Sequence, residues 1–174
     1  MNFLPFEKSY WVLPNKLIAG EIPASQIEAE CRRKLTGLVD AKVKVVINLM
    51  EVDEKNRNGE LFYNYSEFLK LYKIETHRFP IRDGSITSIK RMTEILNLID
   101  EYISKNKMVY VHCWGGVGRT GTIVGCYLKR HGIADNNNVL NQIDTLKINT
   151  PIASRVSPET IEQQDFVLSW NKNQ

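Results

Sequence analysis

A mixed α/β fold, with a central, mostly parallel β-sheet flanked by helices, is what this sequence predicts. Two observations carry the prediction. Short runs at 43–50 and 108–111, rich in β-branched residues, are apolar apart from Lys44 and Asn48, as expected of strands covered on both faces. Segments with helical spacing alternate with them, the plainest being Ile89, Met92, Leu96, Ile99 and Ile103. That alternation belongs to βαβ units rather than to a sandwich or a helical bundle.

In chain order, residues 10–19 hold two apolar pieces around Pro14-Asn15 and predict a hairpin or extended segment. Ser25-Gln26-Ile27-Glu28 has the capping-box pattern and predicts a helix running to about Leu35. A buried strand follows at 43–50, a polar surface loop at 53–59 and a short helix at 67–72. Residues 76–79 predict a second strand, stopped by Pro80. A helix starts after Thr87 or Ser88, and 108–111 is the third strand of the alternation. Beyond a glycine-rich turn, a helix over 120–130 ends at Gly132. Two more helices are predicted at 136–146 and 157–170, with Pro158 in the first turn, where a missing N–H costs least.

The 174 residues carry no repeat and no long Gly/Ser/Pro linker, which predicts one domain over 1–174. With 43% hydrophobic and 25% charged residues, the chain can build a core and is not a disordered polymer. A net charge of +3, scattered along the chain, gives no nucleic-acid footprint. Cys31, Cys113 and Cys126 are too few and too irregular for a disulfide framework, and no metal-ligand spacing is present. No membrane span or secretory leader is visible, so a cytoplasmic monomer is the expectation.

In open α/β sheets, sites collect beyond the carboxyl ends of the strands. After 108–111 the chain reads His112-Cys113-Trp114-Gly115-Gly116-Val117-Gly118-Arg119-Thr120. Glycines there let successive N–H groups face one concavity, and the next helix N-terminus adds donors and partial positive charge. A phosphate suits that nest, and the same field makes Cys113 the expected nucleophile, alkylated faster than Cys31 or Cys126. Arg119 offers a planar fork for two phosphoryl oxygens, which lysine does not. Asp83, just after the strand at 76–79, is the candidate acid for a leaving group, and Gly84 frees its loop.

The His112-Cys113-x5-Arg119-Thr120 pattern resembles the signature of the protein-tyrosine phosphatase superfamily. Compact length resembles its dual-specificity branch. The segments 10–23, with Leu17-Ile18-Ala19-Gly20-Glu21, and 159–170 look like the ends of small bacterial members. The resemblance implies hydrolysis of phosphomonoesters, first of all protein phosphotyrosine, with phosphoserine and phosphothreonine as further substrates. It implies a phosphocysteine at Cys113 and no metal or organic cofactor. Arg119 would bind the phosphoryl group with the loop residues Trp114, Gly115, Gly116, Val117 and Gly118. Asp83 would serve as acid and then base, Thr120 would assist the sulfur, and His112 would position the loop. Gln163 resembles a glutamine near the hydrolytic water, with Gln164 beside it. Trp114 is open between a lid at the pocket rim and a packing residue.

Other readings are weaker. Gly116-Val117-Gly118-Arg119-Thr120-Gly121 matches GxGxxG, but no second strand ending in an acid follows at dinucleotide spacing. A cysteine protease using His77 leaves Arg119 without a role. His77 and His131 are expected to be structural or exposed, and Cys31 and Cys126 to be core residues. The alternatives to protein substrates are inositol phosphates, phosphoinositides or RNA 5′ ends, or a non-catalytic phosphoprotein-binding module. The loop lacks lysines, which weighs against highly phosphorylated substrates, although Arg78, Arg82 or Arg155 could line a rim.

Overall fold

The computed structural model describes residues 3–174. Residues 1 and 2, which fall within the domain expected over 1–174, lie outside the described residues. Strands β1 (Ser9–Leu13) and β2 (Leu17–Gly20) form an antiparallel hairpin that turns through Asn15 at φ 62°. β2 then runs parallel to β5 (Met108–His112), β5 to β3 (Val43–Asn48), and β3 to β4 (Glu75–Arg78). The spatial order is β1-β2-β5-β3-β4. Central β5, Met-Val-Tyr-Val-His, is buried at every position, which is why its apolar run is continuous rather than alternating.

Helices α1 (Glu28–Asp40) and α2 (Ser66–Leu71) cover one face, where Leu35, Leu38 and Leu69 pack on Val46 and Tyr110. The other face carries α3 (Ile89–Ser104), α4 (Gly118–Arg130), α5 (Val139–Leu146) and α6 (Ile161–Ser169). There Met92, Ile99, Val124, Ile143 and Val167 meet Val45, Ile47, Val109 and Val111. α3 begins where its spacing predicts, with Ser88 Oγ accepting the Arg91 N–H at 3.1 Å. α4 is buried almost all round, and a Cβ on Gly125 would come within 2.6 Å of Val167.

Three local expectations are corrected. No capping box forms at Ser25. Its hydroxyl instead donates to the Glu30 carboxylate at 2.7 Å, and α1 starts at Glu28 and continues past Leu35 because Leu38 also faces the sheet. The capping box belongs to α6, where Thr160 and Gln163 cap each other. Pro158 therefore precedes α6 rather than sitting in its first turn, because the reciprocal cap sets the start at Ile161. His77 bonds Tyr102 and His131 bonds Asp100, while Cys31 and Cys126 are buried. No helix among the described residues is long and apolar enough to cross a membrane.

The register fixes where chemistry can gather. Gly20 and Asn48 both lie opposite His112, and Asn48 lies opposite Arg78. Four parallel strands thus end in line, and the connections after Gly20, Asn48, Arg78 and His112 leave from one edge.

Candidate active site

The turn after β5 is pinned from several sides. Gly116 has φ +72°, and a Cβ there would lie 2.5–2.8 Å from backbone atoms of Gly20 and Glu21. Only glycine fits, on conformation and on space. The carbonyl of Trp114 accepts the Ile22 N–H at 3.0 Å, and that of His112 accepts the Leu49 N–H at 2.9 Å. Val117 O accepts from Ser157 Oγ at 2.8 Å. The ends of β2 and β3 and the segment before α6 therefore set the loop's shape.

Cys113, only 3% exposed, lies at the base of a cleft of about 260 Å³. Trp114, Gly115, Val117 and Gly118 line it with Asp83. Trp114, left open between a lid and a packing residue, lines the cleft and packs edge-on against Phe62 at 5.5 Å.

Arg119, one residue into α4, is buried and held by an unexpected partner. Glu54 grips both terminal nitrogens, at 2.6 and 2.7 Å. Nη1 also donates to Ile81 O at 2.9 Å, and Nη2 meets Asp83 Oδ1 at 2.8 Å. Burial pulls the Arg119 pKa down, but the Glu54 hydrogen bonds and then the charge of Cys113 raise it further. The guanidinium therefore stays charged out of water. The loop read as merely polar surface at 53–59 supplies this clasp, because Glu54 sits inward with 9% side-chain exposure. Arg78, one of three arginines that could line the rim, donates to Met50 O and Glu51 O at 2.9 and 3.1 Å and steadies the start of that loop.

Asp83 follows β4 on a turn closed by Ser85 N–H to Arg82 O at 3.1 Å, with Gly84 at φ +72°. Its side chain is 62% exposed and reaches the cleft from the solvent side. Gln163 is buried. Its Oε1 accepts the Glu159 and Thr160 N–H groups at 3.1 and 3.2 Å, and its Nε2 donates to Ser85 O at 3.1 Å. Gln163 thus ties the Asp83 turn to α6, next to Gly118. Gln164 donates to Pro158 O.

His112 is buried beneath the loop. Burial, then the charges of Arg78 and Arg119, push its pKa down to about 3 against one opposing hydrogen bond. The ring is therefore neutral and has a single N–H. Nδ1 lies 3.0 Å from the Cys113 carbonyl, which can only accept, so Nδ1 carries the proton. Nε2 then accepts from Tyr65 OH at 2.5 Å. Tyr65, like Glu54, is a site residue that sequence reasoning missed. The one available signal was position, since both follow β3, whose carboxyl end reaches the same edge.

Two buried polar atoms at the loop's end have no partner: Arg119 Nε and Thr120 Oγ1. Buried donors of this kind call for an occupant.

The family model described as "Polymorphic toxin system, DSP-PTPase phosphatase" matches residues 23–133. An uncharacterized protein of Methanocaldococcus jannaschii is 33% identical over 100 residues, 58% of this chain and 57% of that protein. Cyclin-dependent kinase inhibitor 3 of Rattus norvegicus is 29% identical over 113 residues, 63% of this chain and 51% of that protein. The match thus spans little more than half of each relative's length. Among solved structures, the active form of Tk-PTP superposes with a TM-score of 0.73 at 23% identity, covering 93% of this chain and 95% of that one, a likeness of fold.

Proposed function

The chain belongs to the DSP-PTPase phosphatase family, and from that premise we propose that it hydrolyses phosphomonoesters in two steps at Cys113. In the first, the sulfur attacks phosphorus, the ester P–O bond breaks, and Asp83 gives its proton to the leaving oxygen. In the second, water attacks the phosphocysteine and loses its proton to Asp83. The P–S bond breaks, and Thr120 Oγ1 steadies the departing sulfur. Arg119 and the loop amides carry the charge of the equatorial oxygens through both steps.

One observation carries this reading: the unpaired Nε of Arg119 and Oγ1 of Thr120 are buried at the end of the loop that begins at Cys113. An oxyanion held in the loop satisfies the first. The Asp83–Arg119 contact at 2.8 Å must open as phosphate enters; the freed, solvent-exposed carboxylate takes up a proton from water, and that is the proton it gives to the leaving oxygen. Exposure of Asp83 leaves it room to swing.

Phosphotyrosine is the protein substrate that the family resemblance puts first, and its phosphate would enter the cleft that Cys113 and Asp83 line. A second reading, small polyphosphates, is favoured by the cations Lys8, Arg57 and Arg155 lining the same cleft. A cytoplasm-like reducing compartment would keep the thiol usable. The deciding experiment compares kcat/KM for phosphotyrosyl, phosphoseryl and phosphothreonyl peptides and p-nitrophenyl phosphate, with Cys113→Ser alongside. No turnover by the native chain, or full turnover by the serine variant, refutes the proposal.

A further inference from the structure

The mouth of the cleft holds an arrangement that hydrolysis of a simple monoester does not require. Arg155 lies over the loop itself: a Cβ on Gly115 would come within 2.9 Å of its Nη1. The absence of a side chain at Gly115 is what lets the guanidinium approach. The segment holding Arg155 is braced from inside by Lys147, which is fully buried. Its ammonium donates to the carbonyls of Ala153 and of Arg155 itself, at 3.0 and 2.5 Å, and pairs with Asp144 at 2.8 Å. Burying an ammonium is costly, and here it serves to hold the backbone of the segment that presents Arg155.

The other charges agree. Arg57, on the connection after β3, lines the same cleft and makes no ion pair among the described residues. Lys8 lines it too and shares the Glu21 carboxylate with Lys34, at 3.0 and 2.8 Å; Lys34 also reaches Glu30. The carboxylates at the cleft are each engaged: Asp83 with Arg119, Glu21 with the lysines, and Glu159 with Arg155 at 2.7 Å. That last pair is about half exposed, and such pairs are weak enough for an arriving anion to displace.

We propose that Arg155, with Arg57 and Lys8, forms a second anion subsite beside the Cys113 loop, and that the preferred substrate is a small molecule bearing another phosphate next to the scissile one. The inference rests on the phosphomonoesterase reading and chooses between its substrate classes. Spacing makes the choice. Arg155 abuts the loop that wraps the first phosphate, so the second anion sits within the same small cleft. Neighbouring carbons of one ring place two phosphates that close. Side chains on one face of an extended peptide are about 7 Å apart along the backbone, which carries a second phosphate beyond the cleft.

The test uses the full chain and two readouts. The first is the kcat/KM preference for inositol hexakisphosphate over p-nitrophenyl phosphate, in the native chain, Arg155→Ala, Arg155→Lys and Arg57→Ala. Arg155→Ala is expected to lower that preference by about ten- to a hundredfold, the usual worth of a charge-assisted hydrogen bond. Lysine should restore part of it. The second readout is calorimetric binding of inositol hexakisphosphate and of phosphotyrosine to Cys113→Ser, with and without Arg155→Ala. Phosphoinositide vesicles, run beside the soluble compound, separate a lipid headgroup from a free one; preference for either over the monoester supports the subsite. An unchanged preference, an equal loss on both compounds, or a dependence on Arg155 seen only with doubly phosphorylated peptides overturns it. Turnover of p-nitrophenyl phosphate beside a kcat/KM for inositol hexakisphosphate that does not depend on Arg155 removes the subsite and leaves the phosphatase. Binding through Arg155 without turnover of any ester does the reverse.

Discussion

Replacing Glu54 tests the least expected part of the site. Its carboxylate closes two charge-assisted hydrogen bonds, at 2.6 and 2.7 Å, on a guanidinium whose side chain is shut off from solvent. Glu54→Ala leaves Arg119 with Ile81 O, the exposed Asp83 and an already unpaired Nε. Stranding one member of a buried ion pair costs about 3–5 kcal/mol. That is a large part of the roughly 5–15 kcal/mol that holds a domain together. The milder Glu54→Gln, which keeps one acceptor oxygen, should cost less and remain folded. The assay is urea unfolding, with and without phosphate or vanadate, beside kcat/KM on p-nitrophenyl phosphate. The expected result is a lower midpoint at constant m-value and a stronger rescue by oxyanion than in the native chain. Loss of a fixed guanidinium should lower kcat/KM by about 10² to 10³, as for other preorganised oxyanion donors. A midpoint unchanged from the native value, with a rate within about twofold of it, would show that Arg119 is oriented without Glu54, and the reasoning would fail.

Four further outcomes are expected. Cys113→Ser should abolish turnover yet bind phosphate or tungstate, seen by calorimetry; loss of both would mean that the loop no longer forms. Asp83→Asn should lower kcat by about 10² to 10⁴ for poor leaving groups and far less for p-nitrophenyl phosphate, so a uniform loss would deny it the acid's role. Iodoacetamide followed by peptide mass mapping should label Cys113 ahead of Cys31 and Cys126, because burial pushes the Cys126 thiol up and keeps it protonated. Stability should fall in acid through His112. Unfolded, it takes a proton near 6.5, whereas folded it resists until about 3. Its contribution is therefore complete above about pH 6.5 and lost as pH falls toward 3, at about 1.4 kcal/mol per unit. His112→Asn should flatten that slope in urea titrations, and an unaltered slope would assign it to other groups.

Much of the fold was readable because its signals are local. The runs at 43–50 and 108–111 and the spacing from Ile89 to Ile103 need only their own neighbours to declare strand or helix. Misreadings arose where local patterns compete. Ser25 and Glu28 match a capping box as well as Thr160 and Gln163 do, and only the packing of α1 and α6 shows which pair forms. Gln163 was placed near the site by resemblance. Its buried strap from α6 to the Asp83 turn is a contact across 78 positions that no window reveals.

By itself the sequence determined the order of elements and the make-up of one loop, since Cys113, its glycines and Arg119 lie within seven consecutive residues whose geometry the backbone dictates. Tertiary structure alone decided what meets that loop. Glu54 and Arg119 are 65 positions apart, Tyr65 and His112 are 47 apart, and Arg155 reaches Gly115 from beyond α5. The physical reason is that strand register brings four carboxyl ends into line. Register is set by how side chains from the whole chain share two cores, and no single segment carries that information.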